Sequence, residues 1–383
     1  MKIGILTQPL HNNYGGILQA YALQTILKRM GHEAWIINRD FAEVPLWRRI
    51  AAFCKSLVLQ YASGNKNSPF FLFFSTEEQK SIINRNTSVF IDNNIQPRTR
   101  CLKSNKALLK EIKKQKFDAY IVGSDQVWRP MYSPCLGNYF VDFVDNETNI
   151  KRIAYAASFG VDTWEFTKKQ TKQCAALVQK FDAVSVREKS AISLCQTFLN
   201  KDALHVLDPT LLLDKSDYVK LVLEAKESVS DGDLMAYILD SSTEKTEMIN
   251  IIAQQLELKS FSAMASKKLT RKTKNNIEEC IFPSITKWLR GFMDAKFVVT
   301  DSFHGCVFSI IFNKPFIVIG NEKRGMSRFS SLLEMFDLED LLVCSMEQLT
   351  TERMQLPIKW DEVNVSKLDK LRISMQFLQN NLK

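Results

Sequence analysis

The sequence has no run of about 18 apolar residues, the length a helix needs to cross a bilayer, so no membrane-spanning helix is expected. Glycine and proline are sparse, at 13 and 10 in 383 residues, which excludes a collagen-like or linker-rich chain. None of the eight cysteines (Cys54, Cys101, Cys135, Cys174, Cys195, Cys280, Cys306, Cys344) stands two residues from another, and no histidine follows at zinc-finger spacing. A structural metal site is therefore not expected. Reduced thiols buried in apolar runs, as in Cys306-Val307-Phe308, fit a cytoplasmic protein. There is no G-x-G-x-x-G, which disfavours an NAD or FAD enzyme. The apolar part of the amino terminus, Ile3-Gly4-Ile5-Leu6, is too short for a secretory signal and reads as a first strand.

Apolar residues make up 45% and charged residues 24%, the balance of a soluble globular protein. The length predicts two or three domains with a core large enough to need no disulfides. Lys+Arg 51 against Asp+Glu 42 leaves +9, which favours anionic partners: acidic lipid, phosphorylated small molecules or nucleic acid. The basic residues are spread without a recognised nucleic-acid motif, so no nucleic-acid partner is expected.

Residues 1–40 read as a β-α-β unit. Strand Lys2–Thr7 leads through a polar glycine loop to a helix with Ala20, Leu23, Ile26 and Met30 on one face, then strand Ala34–Asn38. Residues 43–116 read as a mainly helical insertion. Strand–helix alternation resumes with strands at Phe117–Gly123, Ile153–Ala157 and Ala183–Val186. A second alternating block begins near Leu204, with strands at Leu204–Leu207, Leu234–Leu239, Phe297–Thr300 and, last, Pro315–Ile319. The pattern predicts an α/β protein of two Rossmann-like domains facing a cleft, about 1–200 and 201–362. A helix over 363–383 could pack back on the first domain.

Ligands of such sheets sit at the carboxyl ends of strands, and the polar signatures fall there. Asn13-Tyr14-Gly15-Gly16 opens a helix and could hold an anion or sugar hydroxyls, or be only a tight turn. Gly123-Ser124-Asp125-Gln126 with Trp128 offers hydroxyl, carboxylate, amide and an aromatic face, a sugar-binding mixture; helix capping is the plainer reading. Arg187 can grip a carboxylate or phosphate, or pair with Glu188 on the surface. Asp301-Ser302-Phe303-His304-Gly305 is the sharpest feature: a histidine at a strand–helix junction, three residues after an acid. Its imidazole can transfer protons, unless it is a structural core histidine. His11, in the first loop, could also reach the cleft. Arg324 and Arg328 flank Gly325 at the last strand–helix turn and suit a multiply charged anion, or form a solvated basic turn.

Several stretches in order, "MKIGILTQPLHNNYGGILQAYALQTILKRMG", "DAYIVGSDQVWRP", "AYAASFG", "DAVSVREKSA", "HVLDPTLLL", "KFVVTDSFHGCVFSIIFNKPFIVIG" and "RGMSRFSSLL", resemble bacterial polysaccharide pyruvyl transferases over most of the chain. The resemblance implies a GT-B-like pair of Rossmann-like domains. It also implies transfer of pyruvate from phosphoenolpyruvate to a sugar of a surface polysaccharide or its lipid-linked precursor, giving a ketal with no cofactor. His304, with Asp301 or Asp125, would do the acid–base work. Arg187, Arg324, Arg328, Ser302 and Gly305 would bind the donor anion. Asn13, Tyr14, Gly15, Gly16, Gln19, Ser124, Gln126 and Trp128 would meet the acceptor. One departure is visible: family members tend to carry arginine two residues before the histidine, where this chain has Ser302. The competing readings are a GT-B-type glycosyltransferase using a nucleotide sugar and a non-catalytic sugar-binding homologue.

Trp47, Ile50, Phe53, Leu57 and Tyr61 share one helical face beside Arg48, Arg49 and Lys55, and Pro69–Phe74 adds a phenylalanine run. Such a stretch could lie on an anionic membrane at the inner face of the plasma membrane. The plainer reading, a helix packed on its own domain, is favoured.

Overall fold

The computed structural model describes residues 1–42, 75–144, 149–320 and 325–383. The amphipathic stretch 46–61, the run 70–74 and Arg324 lie outside the described residues.

Six parallel strands form the first sheet in the order β2-β1-β3-β4-β5-β6. They are β1 (Lys2–Leu6), β2 (Glu33–Ile36), β3 (Ala119–Val122), β4 (Lys151–Ala157), β5 (Ala183–Val186) and β6 (Leu204–His205). The strand at 204 therefore belongs to the first sheet and not to the second block, because it pairs in parallel with β5, and the first sheet runs past the expected boundary at 200. A second sheet of five parallel strands has the order β11-β10-β9-β7-β8. Its members are β7 (Leu234–Tyr237), β8 (Ser260–Phe261), β9 (Phe297–Thr300), β10 (Phe316–Ile319) and β11 (Leu342–Val343). β3, β9 and β10 are buried at every position, as parallel strands covered on both faces require. The strand at 315–319 is not the last: β11 follows as an edge strand of two residues, too short to leave a pattern.

Helix α1 (Tyr14–Arg29) links β1 to β2. Between β2 and β3, α2 (Glu77–Ile83), α3 (Arg85–Asn94) and α4 (Asn105–Gln115) form the described part of the helical insertion. The remaining long helices are α5 (Lys168–Val178), α6 (Lys215–Glu224), α7 (Thr243–Gln255), α8 (Ile285–Asp294), α9 (Phe303–Phe312), α10 (Ser327–Glu334) and α11 (Trp360–Asn381). None of the described helices is long and apolar enough to cross a membrane.

The halves are joined by buried contact. The ring of Tyr14 stacks on Trp288 of α8 at 5.5 Å, and its hydroxyl donates to the Pro283 carbonyl at 2.9 Å. α11 returns to the first sheet. Ser374 Oγ accepts the Leu207 N–H at 3.0 Å, Phe377 meets Tyr155 at 6.2 Å, and Lys151 Nζ donates to the Asn381 carbonyl at 3.1 Å. Cys174, Cys195, Cys280 and Cys306 are buried, but Cys101 and Cys344 are exposed, so an apolar neighbourhood in sequence, as Leu341-Leu342-Val343 before Cys344, does not by itself bury a thiol.

Candidate active site

In each sheet the strand order reverses once. β1 has β2 on one side and β3 on the other; β7 has β8 on one side and β9 on the other. The crevice outside the carboxyl ends at such a reversal is where an open α/β sheet binds ligands. The two crevices face each other. Their loops, together with the turn into α10, enclose a cavity of about 300 Å³. Its walls include Asn12 and Asn13 after β1, Asp125 and Gln126 after β3, Ser302 and His304 after β9, and Arg328.

His304 sits in the first turn of α9, only 6% exposed, against the first turn of α1. The fit is close: a Cβ on Gly15 would stand 2.1 Å from the imidazole. Behind the ring, Asp208 Oδ2 lies 3.7 Å from Nε2, beyond hydrogen-bond length but placed to balance an imidazolium. Asp208 is anchored by Arg187 Nη1 at 3.0 Å, Ser124 Oγ at 3.2 Å, and the Thr210 N–H and hydroxyl at 3.0 and 2.7 Å. Burial pushes its carboxyl up, but His304, Arg187 and the Thr210 N–H outweigh that and hold it well below the usual carboxylate range.

Asp301 does not orient His304. Its carboxylate turns into its own domain, accepting the Leu239 and Asp240 N–H groups at 2.6 and 3.1 Å and Lys245 Nζ at 2.6 Å. The acid beside the histidine is Asp208, remote in sequence.

Arg187 is neither on the surface nor open to a ligand. Its guanidinium bonds Asp208 and, at 3.3 Å, Asp125, and lies 4.3 Å over the Phe303 ring. Glu188 is also fully buried and accepts from Ser158 Oγ and from the N–H groups of Phe159 and Gly160, so no Arg187–Glu188 surface pair exists. Arg328 does line the cavity; burial and the nearby Arg187 push its guanidinium down to about 10. It is brought there by α10 docking on the first domain, where Ser331 Oγ accepts the Lys189 N–H at 3.0 Å. Gly325, at φ +87, packs so closely that a Cβ would meet the Gly160 carbonyl at 2.0 Å.

Of the eight acceptor candidates, Asn13 and Gln126 reach the cavity wall. Trp128 is sealed in the core, donating to the Tyr139 carbonyl at 2.9 Å and stacking on Phe140, so it offers no face to a sugar. Tyr14 joins the two domains, as described above. Gly15 packs on His304, and the Gly16 N–H is consumed by the Asn13 side chain. Gln19 is buried between Thr7, the Gly16 carbonyl and the Ser124 N–H. Ser124 Oγ shares its one proton between the Ala156 carbonyl at 2.9 Å and Asp208 at 3.2 Å. Gly305 presses on Thr300, where a Cβ would come within 2.1 Å of its hydroxyl, and its N–H belongs to the uncapped first turn of α9. His11 pairs with Asp40 at 3.2 Å and is not part of the cavity wall.

Tyr132 and Lys268 line the cavity from outside every motif, and Phe303 lines it from within the Asp301–Gly305 motif, where no role is expected of it. Tyr132 is 36% exposed and lies 4.8 Å from the guanidinium of Arg129, which Glu165 holds by two bonds of 2.9 Å. It, and not Trp128, is an aromatic that a sugar can meet.

The chain matches the family model described as polysaccharide pyruvyl transferase over residues 13–323. No curated protein matches the sequence. Among solved structures, the UDP-GlcNAc 2-epimerase of Neisseria meningitidis, bound to UDP-GlcNAc, aligns with 99% of this chain and 100% of its own at 9% identity and a TM-score of 0.51. S. aureus MnaA, solved with UDP, aligns over 99% of this chain and 97% of its own at 11% identity and a TM-score of 0.54. At such identities these likenesses show a fold, the GT-B type, and nothing of substrate.

Proposed function

The chain belongs to the polysaccharide pyruvyl transferase family, and from that premise we propose that it transfers the pyruvyl group of phosphoenolpyruvate to two hydroxyls of a sugar acceptor. The observation that carries this reading is the setting of His304. An imidazole lines a small interdomain cavity, with the Asp208 carboxylate behind it and the Arg328 guanidinium in the same wall. The amino end of α9, which no side chain caps, opens at the same point and favours negative charge.

The chemistry asks for those groups. A proton must reach the methylene carbon of the donor, making it a methyl group, while a sugar hydroxyl attacks the neighbouring carbon that bears the phosphate. His304 is the group to give that proton, and the charge of its protonated form is balanced by Asp208. A second hydroxyl then displaces phosphate and closes the ring. The ketal keeps the carboxylate; of the two protons lost by the hydroxyls, one returns to His304 to replace the proton given to the methylene carbon, and the other leaves on inorganic phosphate, which keeps the oxygen that joined it to the donor. Arg328 and the α9 amino end stabilise the anion throughout.

The test is incubation of the purified protein with phosphoenolpyruvate and glycans of the producing cell. Release of phosphate together with a glycan mass increased by one pyruvic acid less one water supports the reading. Turnover of a nucleotide sugar, with phosphoenolpyruvate inert, overturns it.

On the acceptor side, Tyr132→Ala is expected to raise KM for the acceptor. Loss of one stacked ring corresponds to about 1 kcal/mol, several-fold in affinity. Trp128→Phe should leave acceptor KM alone and cost about 1 kcal/mol of stability through the lost bond to Tyr139. Acceptor kinetics and thermal melts of the two variants check both statements; a raised acceptor KM in Trp128→Phe alone would reverse the assignment.

A further inference from the structure

The buried ionic cluster behind the cavity has no described cation to spare. Asp125, Asp208 and Glu188 supply three carboxylates, against the Arg187 and Arg328 guanidinium groups and the imidazole of His304, whose protonated form faces Asp208. Asp301 adds nothing to the count, since Lys245 neutralises it at 2.6 Å. A donor bearing a carboxylate and a phosphate needs positive charge beyond that balance, and Arg187 cannot turn to meet it without abandoning both carboxylates.

One lining residue can supply that charge. Lys268 lies in the loop between β8 and α8, and its side chain is 76% exposed. Its ammonium donates to the Leu239 carbonyl at 3.1 Å and stands 3.9 Å from Asp240 Oδ1. Both are weak tethers for a cation: the first is a neutral acceptor, and the second is beyond hydrogen-bond length and open to solvent. Lysine carries three donors on a flexible stem, so the ammonium can move into the cavity at little cost. Ser302, in the same wall, supplies a hydroxyl and no charge.

We propose that Lys268 is a donor-binding cation of this cleft: its ammonium leaves the Leu239 carbonyl to pair with the phosphate or carboxylate of the incoming anion. The inference rests on the reading of the cleft as an anion-donor site and adds the residue that makes its charge balance work. Lys268 acts in binding and takes no part in proton transfer. The neighbouring Lys272, exposed in the same loop but not part of the cavity wall, should be dispensable for binding.

Thermal unfolding of the full chain, titrated separately with inorganic phosphate and with phosphoenolpyruvate, tests this. Both anions should stabilise the unsubstituted protein. Lys268→Met should weaken both responses about tenfold or more in apparent affinity, without altering the melting temperature in plain buffer. Lys268→Arg should recover most of the response, and Lys272→Met should retain it. A Lys268→Met protein that responds like the parent overturns the inference. If phosphate stabilises the parent through Lys268 but phosphoenolpyruvate neither binds nor turns over, the donor reading fails while the role of Lys268 as an anion contact stands. If neither anion stabilises the parent, both fail.

Discussion

Substitution of His304 by glutamine is expected to lower kcat by roughly 10²–10⁴, the range typical of a lost general acid or base. The melting temperature should move by only a few degrees. The two effects separate because the ring fills space at the domain junction while its Nε2 makes no hydrogen bond among the described residues, Asp208 standing 3.7 Å away. Glutamine keeps much of the volume, so the packing against Gly15 and α1 is largely preserved. A histidine kept for the core alone would give the opposite result, a lowered melting temperature with turnover intact. Initial rates of phosphate release and a thermal melt on the same preparation decide between them.

The architecture was readable because parallel strands buried on both faces are continuous apolar runs. Phe297-Val298-Val299-Thr300 and Phe316-Ile317-Val318-Ile319 announce themselves. The two-residue strands β8 and β11 carry no period and could not be seen. Strand ends are readable as places, and reading them gathered Asp125, Arg187, Ser302, His304 and Arg328 around one cleft. What a side chain does at a strand end is a different matter, because its direction is set by the loops that pack across from it. Asp301 is three residues from His304 and points away, drawn by two backbone N–H groups and Lys245. Asp208 belongs to the neighbouring domain and arrives from behind. Its sequence signals were a place in the stretch HVLDPTLLL and an Asp-Pro-Thr at the end of a strand, which also describes an ordinary cap, and it does cap Thr210. Trp128 misled for a related reason. Lying next to polar residues is no evidence of exposure when the turn sends the indole inward to Tyr139.

The roles of Arg187 and His304 are coupled through Asp208, and this makes Asp208 the most informative residue to change. Its replacement by alanine leaves the Arg187 guanidinium, 1% exposed, with half of its ionic partners. Breaking a buried pair from one side costs roughly 3–5 kcal/mol. Asp208→Asn keeps the shape and removes only the charge, so its loss should be smaller and should depend on pH. The folded-state carboxyl is held below its ordinary value of about 3.9, so the stability it contributes is present above that value and is lost as pH falls through the folded one. The gap in melting temperature between the parent and Asp208→Asn should accordingly be full near neutrality and begin to narrow below about pH 4. A gap independent of pH would mean that the carboxylate contributes shape and hydrogen bonds but no charge. In turnover, Asp208 acts only through the ring it supports. Asp208→Asn should therefore lower kcat while leaving the KM for the acceptor unmoved. A raised acceptor KM with kcat intact would reduce Asp208 to a scaffold for Arg187.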